Sequence, residues 1–124
     1  MVWYIVGGGI IGTLSRYYVQ GWVQNRIGIP VFPTGTLLIN LAGSLIIGFV
    51  IRLATGSTII GPNARAGLTI GFCGAFTTMS TFSYESVALL RNGQYGYASL
   101  YMGGTIIGCL IAVMIGAALA NWLL

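Results

Sequence analysis

Charge is almost absent from this chain, and this scarcity constrains its fold more than any other feature. Five arginines and one glutamate, Glu85, are the only charged side chains among 124 residues, whereas soluble domains carry about 25% charged residues. A soluble packing of so short a chain would leave much of its 56% hydrophobic content in water, because small domains keep a large share of their surface exposed. A lipid bilayer removes this cost. We therefore expect an integral membrane protein.

Four apolar stretches separated by short polar turns predict an all-α protein of four transmembrane helices in a single domain, residues 1–124. A membrane span needs roughly 20 mostly apolar residues, which leaves no room for a soluble domain. The predicted spans cover about residues 2–23, 32–54, 64–90 and 95–122. The N-terminus lacks the basic segment and cleavage site of a signal peptide, so the first helix is expected to be retained.

Glycine is unusually frequent, with 20 residues. In lipid, small residues let helix backbones approach closely, and a spacing of four residues is typical of such contacts. Three pairs have this spacing, and we expect most of them to serve helix packing: Gly8 with Gly12, Gly67 with Gly71, and Gly104 with Gly108.

The inventory of reactive side chains argues against catalysis. The chain has no histidine, no lysine and a single carboxylate, so it cannot supply an acid–base pair or a catalytic triad. Cys73 and Cys109 lie in different predicted spans without metal-ligand spacing, and we expect neither a disulfide nor a metal site from them. The arginines are too dispersed for nucleic-acid binding.

The arginines are balanced across the predicted membrane. Arg52 and Arg65 flank the loop on the side of the termini, and Arg26 and Arg91 flank the two turns on the other side. Because flanking positive charge sets orientation, a chain without bias should insert both ways. Opposite orientations can then pair as an antiparallel, dual-topology homodimer. Alternatively, finer signals select one orientation.

Two polar residues within the predicted spans are candidates for function, because ionisable and polar groups in a membrane are usually buried in protein or cavities. Arg16 lies one turn after Gly12 and faces either a water-filled vestibule or, by snorkelling, the headgroups. Asn40 shares a helical stripe with Thr36 and Ser44. Its amide N–H groups suit a dehydrated anion, but they could equally join two helices.

The third span contains the run from Gly71 to Glu85, which is rich in glycine, serine and threonine and therefore a poor straight helix. We predict a break between Gly74 and Thr78 that frees carbonyl groups suited to a small hard cation. A continuous helix with hydroxyls bonded to carbonyls one turn back is the alternative. Beyond the break, the positive edge of the Phe82 ring could face an anion.

Taken together, the sequence resembles the Fluc (CrcB-type) fluoride channels over essentially its whole length. The resemblance is carried by the segments 12–16 (GTLSR) and 35–40 (GTLLIN) and by the third-span run 71–85. It implies an antiparallel homodimer with two fluoride pores, passive fluoride export and a bacterial inner-membrane location. One position differs, since Met79 stands where family members usually have the first of two phenylalanines.

The resemblance also implies roles for individual residues. Arg16 would draw anions into the vestibule, Asn40 would bind the permeating ion, and the carbonyls of Gly74 and Thr77 would hold a central structural Na⁺. The role of Glu85 is not specified. The expected pore residues are Asn40, Thr78, Met79, Ser80, Thr81, Phe82, Tyr101 and Thr105.

Two other functions share the size and charge balance of such a chain. A small dual-topology multidrug or cation antiporter needs a carboxylate in its binding chamber, whereas the first span here carries Arg16 and no acid. A scaffold subunit without transport activity would leave the Asn40 stripe and the third-span run unexplained.

Overall fold

The computed structural model describes all 124 residues as helices joined by short turns, without β-strands. The prediction of an all-α chain with four helical stretches is confirmed. The third stretch is divided into four segments. The elements are α1 (Val2–Arg26), α2 (Thr34–Gly56), α3 (Pro62–Ala66), a π-helical segment (Gly67–Cys73), α4 (Gly74–Phe76), α5 (Met79–Arg91) and α6 (Tyr95–Leu123).

Helix directions alternate along the chain. Gly8 of α1 lies against Gly67 at the start of the π-helical segment, and Gly12 lies against Phe72 further along it, so these two elements run parallel. Gly56 at the end of α2 lies beside Leu124 at the end of α6, so this pair is parallel too. Both chain termini and the α2–α3 loop therefore lie at one end of the bundle, and the other two turns lie at the opposite end.

Glycines make the closest helix contacts. A Cβ atom on Gly8 or Gly12 would overlap a backbone carbonyl of the π-helical segment, and Gly67 and Gly71 are similarly close to the backbone of α1. The expected close approach is thus confirmed for two of the three glycine pairs. It is wrong for Gly104, which has open space around it.

The contact between α2 and α6 depends on glycines that the four-residue spacing did not identify. A Cβ atom on Gly48 would overlap the Val113 carbonyl, and one on Gly116 would overlap the Leu45 carbonyl. These two helices make the most extensive contact in the chain. Their glycines are 68 positions apart in sequence, so no local pattern links them.

Two helices, α2 and α6, are long and apolar enough to cross a membrane by length and composition. The 25 residues of α1 are also long enough, but they include Arg16, Gln20 and Gln24 and are less apolar. Large apolar side chains cover the outer surface of the bundle, and both Trp3 and Trp122 are more than four-fifths exposed. Such a surface suits lipid and not water.

Candidate functional site

The third helical stretch is interrupted at two threonines. Thr77 has ψ 158° and Thr78 has φ −148° and ψ 121°, so both residues are extended between α4 and α5. The N–H and the Oγ1 of Thr77 both donate to the Cys73 carbonyl, at 3.0 and 2.8 Å, and end the preceding helix. The extended segment is shorter than expected, because Gly74 to Phe76 are helical. β-branched residues favour this conformation.

The side chain of Asn40 binds the extended backbone directly. Its Oδ1 accepts a hydrogen bond from the Thr78 N–H at 2.9 Å, and its Nδ2 donates to the Thr78 carbonyl at 3.2 Å. In a continuous helix, the Thr78 N–H would instead donate to the Gly74 carbonyl. Asn40 is only 7% exposed. The amide thus joins two helices and keeps one Nδ2 hydrogen free.

Thr78 also begins the next helix. Its Oγ1 accepts a hydrogen bond from the Thr81 N–H at 3.3 Å, as an N-cap side chain does. The same hydroxyl donates to Thr81 Oγ1 at 3.1 Å and lies 3.5 Å from Ser80 Oγ. Because Thr81 N–H is the donor that a continuous helix would direct to the Thr77 carbonyl, this carbonyl loses its helical partner.

Arg16 connects α1 to the interrupted stretch. Its Nε donates to the Ala75 carbonyl at 3.1 Å. Arg16 also lines an open cavity of about 830 Å³, the Arg16 cavity, whose lining includes Gln20, Thr36 and Glu85. Arg16 therefore faces this cavity and the protein backbone.

Two glutamines of α1 were not identified from the sequence. Gln20 Nε2 donates to Thr36 Oγ1 at 2.9 Å, and Gln24 Oε1 accepts a hydrogen bond from the Gly35 N–H at 3.0 Å at the start of α2. Arg16, Gln20 and Gln24 follow one another at intervals of four, which places them on one helix face. That spacing was available in the sequence and predicts a polar face.

A second depression lies one helical turn further along α2 than the Arg16 cavity. This Asn40 groove has a volume of about 400 Å³, and its lining includes Asn40, Thr77, Thr78, Met79, Phe82 and Thr105. Thr105 is 7% exposed, and its Oγ1 is buried without a hydrogen-bond partner. Buried hydroxyls are nearly always bonded, so this one is an exception, in a residue that lines the same groove as Asn40.

Five of the expected pore residues therefore line one groove: Asn40, Thr78, Met79, Phe82 and Thr105. Ser80 and Thr81 do not line it, although their hydroxyls contact Thr78. Tyr101 is fully buried behind it, with its ring centroid 5.2 Å from that of Phe82. The Tyr101 hydroxyl donates to Glu85 Oε1 at 3.1 Å.

The groove offers two kinds of ligand. Asn40, Thr78 and Phe82 bring N–H, O–H and aromatic C–H groups, which suit an anion. Gly74 and Thr77 also line it, and their carbonyls, which have lost their helical donors, suit a hard cation. Gly74 is exposed. No group of three or more His, Cys, Asp or Glu side chains could hold a metal.

Comparison with known proteins points to one family. Residues 3–117 match the family model described as "CrcB-like protein, Camphor Resistance (CrcB)". A protein named "Fluoride-specific ion channel FluC" from Chlorobium chlorochromatii (strain CaD3) is 44% identical, with 94% of this chain and 88% of the relative covered. Two further relatives of the same name are each 41% identical. The one from Geotalea daltonii covers 93% of this chain and 92% of its own length. The one from Geotalea uraniireducens covers 97% of this chain and 96% of its own length.

Proposed function

This chain belongs to the CrcB-like family, and we propose that it forms a fluoride-selective channel whose ions pass from the Arg16 cavity into the Asn40 groove. It is a membrane protein and a channel, not an enzyme. The observation that carries the proposed path is the Asn40 groove, whose lining combines the Asn40 amide, the Thr78 hydroxyl and the Phe82 ring. Passive flow would let fluoride leave a cell in which it has accumulated.

The two cavities are adjacent along the same helices. Thr36 lines the Arg16 cavity, and Asn40, one turn later on α2, lines the groove. On α5, Glu85 lines the Arg16 cavity and Phe82 lines the Asn40 groove. Tyr101 contacts both of these side chains. An anion attracted by Arg16 would therefore move about one helical turn to reach the Asn40 amide.

Selectivity would follow from the density of donors in the groove. Fluoride is small and strongly hydrated, so its water must be replaced by several close donors, here amide, hydroxyl and ring-edge groups. The groove of one chain is open and has room for a larger halide. Exclusion of chloride would therefore require a second chain to narrow it, as in the dimer proposed below.

A structural Na⁺ would fit the carbonyls of Gly74 and Thr77. Both have lost their helical donors to side chains, and carbonyl oxygen is a suitable ligand for a hard cation. When bound, the cation supplies positive field next to the anion path. Because Gly74 is exposed within one chain, a second chain could contribute the same two carbonyls.

The second chain would be another copy in the opposite orientation. Within one chain, α5 contacts only α6 and part of α2, and Met79 and Tyr84 are 72% and 76% exposed. Ser80 and Ser83 are exposed beside them, which lipid would not favour. Arg26 and Arg91 lie at one end of the bundle and Arg52 and Arg65 towards the other, so charge favours neither orientation. We propose an antiparallel homodimer in a bacterial inner membrane.

Efflux from proteoliposomes tests this function. Liposomes loaded separately with potassium fluoride and potassium chloride are diluted into ion-free medium, with valinomycin to balance charge, and the released halide is measured with ion-selective electrodes. We expect rapid fluoride release and chloride release no faster than from protein-free liposomes. Equal rates would contradict selectivity, and absence of both fluxes would favour an antiporter or a scaffold subunit.

Replacing Met79 with phenylalanine is expected to preserve fluoride efflux. Met79 is 72% exposed at the edge of the groove, so the larger ring meets no packed neighbour of its own chain, and its edge can face an anion as Phe82 is proposed to do. Efflux within about threefold of the original rate is expected, less than 1 kcal/mol in the barrier. Loss of efflux, with Met79→Leu remaining active, would show that the groove requires a slim side chain.

A further inference from the structure

Side chains decide which carbonyls remain free where α4 meets α5. In a continuous helix, the carbonyls of Gly74, Ala75 and Thr77 would accept from the N–H groups four residues later. Here the Thr78 N–H donates to Asn40 Oδ1, and the Thr81 N–H donates to Thr78 Oγ1. The Ala75 carbonyl receives Arg16 Nε as a substitute donor. The carbonyls of Gly74 and Thr77 receive no replacement, and neither does that of Phe76, whose helical donor would be the Ser80 N–H.

We propose that Asn40 is a positioning residue for the cation site, because its Oδ1 holds the Thr78 N–H away from the Gly74 carbonyl and so keeps that carbonyl free to bind Na⁺. This inference rests on the proposed function, in which Gly74 and Thr77 hold the cation. It adds a second role to Asn40, which that function uses only as an anion ligand.

The geometry assigns the two roles to different atoms of one carboxamide. Oδ1 and one Nδ2 hydrogen bind the backbone of Thr78, and the second Nδ2 hydrogen is available in the groove. Substitutions can therefore separate the roles. Aspartate keeps the acceptor for the Thr78 N–H, on which the free Gly74 carbonyl depends, but removes both Nδ2 hydrogens, including the one bonded to the Thr78 carbonyl. Serine is too short to reach Thr78, and leucine has a similar shape without an acceptor.

The test measures Na⁺ binding without measuring flux. Full-length protein in detergent is melted over a series of Na⁺ concentrations, with N-methylglucamine keeping the ionic strength constant, because a ligand that binds the folded state raises the melting temperature. The variants are Asn40→Asp, Asn40→Ser and Asn40→Leu. Thr105→Val is the matched control, since it removes the unpaired hydroxyl of the same groove but no hydrogen bond to the α4–α5 junction.

We expect the original protein and Thr105→Val to be stabilised by Na⁺ with similar half-saturating concentrations, and Asn40→Asp to need no more Na⁺ than the original, because its added negative charge attracts the cation. Asn40→Ser and Asn40→Leu should need about tenfold more Na⁺ or show no response, which corresponds to losing one hydrogen bond to a buried group. The serine hydroxyl can bond to a carbonyl one turn earlier in α2, so no polar group is left unpaired. The serine variant therefore tests the positioning role even if the leucine variant does not fold.

An unchanged Na⁺ response in the serine or leucine variant would overturn the positioning role of Asn40. An equal loss in Thr105→Val would do the same, because the effect would then not depend on Thr78. If the original protein conducts fluoride but gains no stability from Na⁺, the cation site itself is wrong and the inference with it. Absence of fluoride conduction would instead contradict the proposed function.

Discussion

Replacing Asn40 with aspartate is expected to abolish fluoride efflux. The carboxylate cannot offer the amide N–H, and it places a negative charge in the groove where fluoride would bind. Two like charges about 4 Å apart at an effective dielectric constant of about 20 repel by about 4 kcal/mol. A barrier of that size slows efflux on the order of a thousandfold. The measurement is fluoride release from proteoliposomes.

Asn63→Asp is the matched control, because it makes the same chemical change at an exposed position outside the cavity and the groove. This variant should conduct at the original rate. Undiminished efflux through Asn40→Asp would remove Asn40 from the ion path. An equal loss in both variants would mean that added negative charge, and not its position, blocks the channel.

The Gly116→Ala variant is expected to lose a large part of its stability. Its new methyl group would overlap the Leu45 carbonyl and lie 2.9 Å from the Phe49 backbone nitrogen, so α2 and α6 would have to separate. Overpacking of this kind costs about 1–3 kcal/mol. The alanine itself favours a helix by about 1 kcal/mol over glycine. Any loss must therefore come from the helix contact.

Gly96→Ala provides the comparison, because Gly96 belongs to the same helix and a methyl group there would have no neighbouring atom within 4 Å. We expect this variant to melt at or above the original temperature in detergent and Gly116→Ala to melt well below it. If the two variants melt alike, the close approach of α2 and α6 is not what stabilises the bundle.

Much of the fold could be predicted because lipid imposes simple requirements. Long uncharged stretches predicted the four helical stretches, and the chain turns where Arg26, Gly61 and Arg91 lie, as expected. Rare polar residues in apolar sequence were equally informative. Arg16 and Asn40 were identified by their chemical type alone, and both contact the interrupted third stretch.

Other features could not be predicted, because they depend on residues distant in sequence. Nothing near Gly116 indicates that Leu45 will lie against it. The resemblance that suggested Tyr101 as a pore residue did not indicate that it would be fully buried with its hydroxyl on Glu85. The spacing of Gly104 and Gly108 suggested a contact at Gly104 that is absent.

The sequence by itself determined that this chain is a helical membrane protein, because its apolar length and scarcity of charge leave no other stable arrangement. Its threonines also limited where the third stretch could depart from a helix. Only the tertiary structure decided how that departure is held. The Thr78 N–H donates to an asparagine 38 positions earlier. The backbone hydrogen bonds of a helix can be interrupted only where another part of the chain supplies the missing partner.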